Sequence, residues 1–221
     1  MTTVGFIGSG MIGSTVARLS VAAGHAVVLS NSRGPDTLKD LVSELGPLAR
    51  AASGEDAADA DIVLVAIPLR AYPSVPVRRL VSKTVMDANN YYSQRDGQIA
   101  DLDAKRLTSS ELLQRHLRSS SVVKAFNNIY FRHLASLARP SGAGDRSYLP
   151  IAGDDAGAKA EVTAFLDSIG YGAVDAGPLG ESWRQQPGEP VYGTPYGPME
   201  DEGGRPAGEG TIRRALAAAS R

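Results

Sequence analysis

Cysteine is missing from all 221 residues, which excludes disulfides, thiolate nucleophiles and every Cys-ligated zinc or iron–sulfur site. The three histidines are scattered, so no metal site is assigned. No apolar run approaches the ~18–20 residues of a membrane span. A dominant charge is also lacking. The 23 Lys and Arg against 24 Asp and Glu leave a net charge of −1, which argues against nucleic acid or an anionic membrane as partner. The N-terminus has no basic segment of the signal-peptide kind, and cleavage would destroy the glycine motif that begins at Gly8, so a cytoplasmic location is expected. What the chain does have is 43% apolar and 21% charged residues, the balance of a globular protein that can bury a core without a staple.

Apolar strand runs alternate with helical periodicity. Val4-Gly5-Phe6-Ile7 reads as a buried strand, and Ile12, Val16, Leu19 and Ala23 then recur at helical spacing up to Gly24. Further strands are expected over Ala26 to Leu29, Asp61 to Ile67, Val85-Met86 and Val122 to Phe126. Thr108 and Glu111 form a capping-box pattern for a helix carrying Leu112, Leu113 and Leu117. Tyr148 to Ile151 reads as a strand whose Pro150 suggests an edge, and Asp154-Asp155 as the N-cap of a helix ended by Gly170. The pattern predicts an α/β fold: a doubly wound, mainly parallel sheet of the Rossmann type. From Pro187 to Gly210, 12 of 24 residues are Gly or Pro, too many for core. Residues 1–186 are therefore expected to form the dinucleotide-binding domain. Residues 187–221 would form an arm and a short helix over Thr211 to Arg221. The arm nevertheless holds Tyr192, Tyr196 and Met199, apolar groups that could cover a planar ring.

The sharpest chemistry lies in Gly8-Ser9-Gly10-Met11-Ile12-Gly13, which follows a strand and opens an amphipathic helix. In that setting Gly8 makes the tight turn, Gly10 lets backbone approach a pyrophosphate, and Gly13 lets helix and strand pack closely. The helix N-terminus then offers free N–H groups to the phosphates. After the second strand, where NAD sites carry an acid, the chain reads Ser30-Asn31-Ser32-Arg33 with no acid before Asp36. Those donors suit a 2′-phosphate, so NADP is the expected cofactor.

Other residues invite a catalytic reading against a structural one. Lys124, in the run Val122 to Phe126, is read as a snorkelling side chain. His133 is the one weak candidate for a proton donor, and the catalytic residues are otherwise unassigned. Asn127-Asn128 and Tyr91-Tyr92 each follow the C-terminal end of a strand, where ligands of open α/β sheets bind, or else they satisfy loop backbone.

The chain resembles the F420-dependent NADP reductases, which pass hydride between NADP and the deazaflavin coenzyme F420. The shared motifs are Gly8 to Gly13, Ser32-Arg33, Ala66-Ile67-Pro68, Lys124-Ala125-Phe126-Asn127, Ala152-Gly153-Asp154-Asp155 and Asp175-Ala176-Gly177-Pro178-Leu179. The resemblance implies that Ser9 to Ile12 and Ser32-Arg33 hold NADP, with Ala66, Ile67, Pro68, Ala125 and Asn127 near the nicotinamide. It implies hydride transfer between two flat rings stacked about 3–3.5 Å apart, with F420 as co-substrate. Two alternatives stand beside it: an NADPH-dependent reductase of a small imine or carbonyl compound, which would need a donor such as His133, Tyr91 or Tyr92, and a non-catalytic NADP-binding sensor. The expected partners are small-molecule cofactors and a second copy of the chain in a homodimer.

Overall fold

Each apolar run needs cover on both faces, and the crossovers between runs supply it. The computed structural model describes residues 2–220. It begins with β1 (Thr3–Ile7), α1 (Met11–Ala22) and β2 (Ala26–Ser30). α2 (Lys39–Leu45), β3 (Ala49–Ala51), α3 (Gly54–Ala58), β4 (Ile62–Val65) and β5 (Thr84–Asp87) follow. Two single-turn helices, α4 (Ser93–Asp96) and α5 (Ala100–Asp103), precede α6 (Ser109–His116) and β6 (Ser121–Lys124). The rest comprises α7 (Phe131–Ser136), β7 (Tyr148–Gly153), α8 (Ala156–Ser168), β8 (Gly172–Asp175) and α9 (Glu209–Ala217).

The strands form one sheet in the order β3-β2-β1-β4-β5-β6-β7-β8. Every neighbouring pair is parallel except β6 and β7. The first six strands have the doubly wound Rossmann order. Along β4, Ile62 and Leu64 join one core with Phe6, Leu29 and Met86, whereas Val63 and Val65 join another with Val85, Val122 and Leu113. A strand with no polar residue thus sits at the centre of the sheet. The helix ends follow the sequence: Thr108 and Glu111 cap α6 reciprocally, and Asp155 accepts from the Ala158 N–H at 2.7 Å to start α8.

Two expectations fail for a physical reason. Pro150 does not mark an edge, because β7 lies between β6 and β8. On the β8 side Gly153 donates to Gly177 and Ile151 accepts from Ala176, so Pro150 faces the other way. There Tyr148 donates to the Ala207 carbonyl, and β6 pairs only with Ala152 and Gly153. Pro150 falls in the gap between these partners, where no N–H is required.

The Gly/Pro-rich segment is also not outside the core. Val191, Tyr196 and Ala207 are fully buried in the same cluster as Phe6 and Leu64, and Ile212 and Leu216 of α9 join them. Tyr196 Oη donates to the Tyr148 carbonyl at 2.8 Å, and the Gly193 N–H donates to the Asn128 carbonyl at 2.8 Å. Glycine and proline set the turns, and a few isolated apolar side chains supply the anchors. The helix expected over Thr211 to Arg221 forms as α9, with Arg221 outside the described residues.

Tyr196→Ala is therefore expected to lower unfolding free energy by about 3–5 kcal/mol, the usual cost of emptying a large aromatic site. Urea denaturation followed by circular dichroism measures it. A loss below about 1 kcal/mol would mean that the segment only leans on the core.

Candidate functional site

β1 ends in a turn that two glycines make possible. Gly8 has φ of 103°, and a Cβ there would lie 2.3 Å from the Ala66 carbonyl oxygen. A Cβ on Gly13 would lie 2.1 Å from the Gly8 oxygen, so α1 packs against the turn backbone to backbone. Gly10 differs from both. A Cβ there meets nothing within 4 Å and opens onto the cleft. Gly10 is the N-cap of α1, no side chain caps the helix, and its first turn holds no acid. The leading N–H groups are left for an anion, and the helix dipole favours one.

Beside this turn lies a cavity of about 440 Å³ whose lining includes Gly8, Ser9, Gly10, Asn31, Ser32 and Arg33. The turn is rigid: Ser9 Oγ donates to the Ser30 carbonyl at 2.9 Å, and Asn31 Oδ1 accepts from the Arg33 N–H at 2.9 Å. No carboxylate lines the cavity. The exposed Arg33 guanidinium makes no hydrogen bond or ion pair among the described residues. A free cation, an uncapped helix end and an open Gly10 together fit a phosphorylated dinucleotide.

Ala66, Ile67 and Pro68 form a wall shared with a second cavity, also about 440 Å³. Met11 and Ile12 of α1, Asn127, and the rings of Tyr92, Tyr130 and Phe131 line it. From the C-terminal segment come Tyr192 and Met199, while Tyr196 belongs to the core instead. Met11 and Met199 are 66% and 64% exposed, a large apolar rim around an apolar hole. The Tyr92 and Tyr192 hydroxyls hydrogen-bond to each other. Burial pushes the Tyr192 hydroxyl to a higher pKa, so it stays protonated. Arg95 lies 4.9 Å from the centre of the Tyr92 ring and pairs with Asp96 at 2.9 Å. Arg95, Tyr130 and Phe131 are among the lining residues that the sequence did not single out. Arg95 sits on a four-residue helix and the other two just past a turn, so no periodicity marks them.

Beneath the wall, Lys124 does not snorkel. It is wholly buried and faces Asp87 at 3.2 Å, with further bonds to the Asn89 carbonyl and Ser109 Oγ. Desolvation lowers its pKa, and Asp87 opposes that. Asn89 Oδ1 in turn accepts from the Ile67 N–H at 2.9 Å. Phe126 adopts φ of 62°, a strained value for a bulky residue, and so turns the chain from β6 into the cavity-lining stretch that starts at Asn127. Asn127 Nδ2 donates to Asn90 Oδ1 at 3.0 Å and to the Gln185 carbonyl at 2.7 Å. Ala125 is buried behind the wall and, like Gly13, lines neither cavity. His133 is fully buried with Nε2 at 2.6 Å from the Asp201 carbonyl, and it too lines neither. Tyr91 points its hydroxyl to Asp103 at 2.6 Å, away from both. Among the described residues, no helix is long and apolar enough to cross a membrane, and no group of three or more His, Asp or Glu could hold a metal ion.

Residues 3–91 match the family described as NADP oxidoreductase, coenzyme F420-dependent. The hypothetical protein SMa0349 of Sinorhizobium meliloti is 33% identical, over 86% of this chain and 93% of that one, with a TM-score of 0.75. A candidate F420-dependent NADP-reductase of Arthrobacter sp. FB24 is 25% identical, over 83% and 87%, with a TM-score of 0.68. A reductive aminase of Aspergillus terreus, solved with NADPH, is 16% identical over 81% and 57% at a TM-score of 0.59, a likeness of fold alone. No curated protein matches the chain.

Gly10→Val is expected to leave the protein folded, with at most the modest loss of a poorer N-cap, while abolishing NADPH binding, because the new side chain fills the space beside the helix terminus. Fluorescence titration of NADPH beside a circular dichroism melt decides it. A folded variant that binds NADPH normally would reduce the motif to a turn.

Proposed function

The chain belongs to the family of coenzyme F420-dependent NADP oxidoreductases and is an NADP-dependent oxidoreductase; from that premise we propose that it transfers hydride between NADP(H) and a deazaflavin of the F420 type. The observation that carries this reading is the junction of two cavities at Ala66, Ile67 and Pro68. One carries serines, Asn31 and Arg33, holds no acid and is sited at a helix N-terminus; the other is lined by aromatic rings and rimmed by methionine.

The α1 N-terminus holds the pyrophosphate, and Ser32 and Arg33 grip the 2′-phosphate. When bound, the nicotinamide supplies the hydride, and the protein's task is placement. Ala66 to Pro68 back the nicotinamide while Tyr92, Tyr130, Phe131 and Tyr192 shape a slot for a second flat ring. The methionine rim limits water at the reacting carbons. Such a transfer asks for orientation above all, worth up to about 7–11 kcal/mol of the barrier when two rings are held in contact.

A second reading, reduction of a small imine or carbonyl compound, draws on the Tyr92–Tyr192 hydroxyl pair, since His133 and Tyr91 lie outside the cavity. A non-catalytic sensor is set aside by membership in an oxidoreductase family.

Mixing the protein with NADPH and the oxidised deazaflavin is expected to bleach both absorbance bands together. Oxidation of NADPH only when a cyclic imine or ketone is added would move the assignment to the second reading. Calorimetric titration is further expected to show NADPH bound more tightly than NADH. Arg33→Ala should weaken NADPH by about ten- to 150-fold, the worth of one charge-assisted contact, and leave NADH nearly unchanged. Equal wild-type affinities for the two cofactors would overturn the choice of NADP.

A further inference from the structure

The second cavity is largely apolar, and beside the amides of Asn90, Asn127 and Asn128 its wall carries a hydroxyl pair that a ring-stacking slot does not need. Tyr92 follows β5, Tyr192 comes from the C-terminal segment, and their hydroxyls meet at the cavity wall. Two hydroxyls carry two hydrogens, and the bond between them uses one. No other acceptor among the described residues takes the second. Both residues are only partly buried and both line the cavity, so the spare hydrogen is available to whatever occupies it. Arg95 lies beside the Tyr92 ring, its guanidinium already paired with Asp96.

We propose that the Tyr92–Tyr192 hydroxyl pair is the hydrogen-bond donor and proton source for the hydride acceptor, which must then carry a nitrogen or oxygen conjugated to the carbon that is reduced. This rests on the oxidoreductase reading and specifies its second substrate. Reduction of such an acceptor adds one hydride from NADPH to carbon and one proton to the heteroatom. The new C–H bond takes the electron pair from the nicotinamide, the heteroatom takes the hydroxyl proton, and solvent at the rim returns a proton to the pair. A deazaflavin, an imine and a ketone all meet the requirement. A purely structural role, bolting residue 192 onto the loop after β5, makes a different forecast. Either Tyr→Phe change breaks the bolt completely, whereas either leaves one hydroxyl free to serve an acceptor.

The test compares Tyr92→Phe, Tyr192→Phe and the double variant in the full chain. Single-turnover transfer from NADPH to the deazaflavin is expected to slow by no more than about tenfold in each single variant and by about 10²- to 10⁴-fold in the double. Calorimetry with the oxidised deazaflavin and NADP⁺ is expected to show about tenfold weaker binding in the double variant alone. NADPH affinity and the thermal midpoint should hold in all three. Single variants as impaired as the double would overturn the proposal in favour of the bolt, and a double variant of wild-type rate and affinity would overturn it outright. If the wild type reduces only an imine or ketone, the deazaflavin reading fails and the same series with that acceptor decides this one. Turnover of neither class overturns both.

Discussion

Asp87 and Lys124 are register partners at the carboxyl ends of β5 and β6, and neither side chain reaches solvent. A buried pair of this kind offers little net stability over an apolar pair, yet losing one partner costs about 3–5 kcal/mol, because the other charge stays behind. Here both charges are fully engaged. Asp87 accepts from Ser110 Oγ at 2.7 Å and from the Asn89 N–H at 2.9 Å, while Lys124 donates to the Asn89 carbonyl and to Ser109. Asn89 then holds Ile67 of the wall between the cavities. The loops after β4, β5 and β6 thus leave the sheet under one set of hydrogen bonds, and those loops supply much of the second cavity's wall. Directional bonds fix positions that non-directional apolar contacts would let drift.

How legible this was depended on whether the information was local. The glycine turn, the Thr108–Glu111 box, the Asp155 cap and the acid-free stretch after β2 are short-range devices, and each appears where its residues stand. β3 and β8 went unread because Ala-Arg-Ala and Gly-Ala-Val-Asp hold no apolar run, so only pairing with a neighbour makes them strands. Lys124 misled because a lysine in an apolar run looks the same whether it reaches water or a carboxylate 37 positions earlier. Pro150 misled because an antiparallel partner that pairs for two residues leaves the same gap as an edge. The segment from 187 to 210 misled most. Its anchors at Val191, Tyr196 and Ala207 follow no period, and composition alone reads them as solvated.

The three glycines of the turn divide between folding and ligand. Gly8 and Gly13 answer to neighbouring backbone at 2.3 and 2.1 Å, so any side chain there strains the fold itself. Gly10 answers to nothing in the protein. A folding constraint does not explain its lack of a side chain, and an anion at an uncapped helix end does. The same division recurs in the C-terminal segment, where Tyr196 points into the core and Tyr192, four residues earlier, points into the cavity.

That alternation explains how a glycine- and proline-rich stretch can help to complete a binding site. A loop held only at its ends would present Tyr192 and Met199 with too much freedom to define a slot, since each ordered side chain costs conformational entropy. Anchoring at Val191 and Tyr196, with Gly193 bonded to Asn128, meets that cost through core burial rather than through the ligand. Asn128 also donates to the Val191 carbonyl at 3.0 Å, and Asn127 beside it lines the cavity. The cavity wall and the segment that closes it are therefore positioned by adjacent residues of one turn, the turn that Phe126 forces at the end of β6.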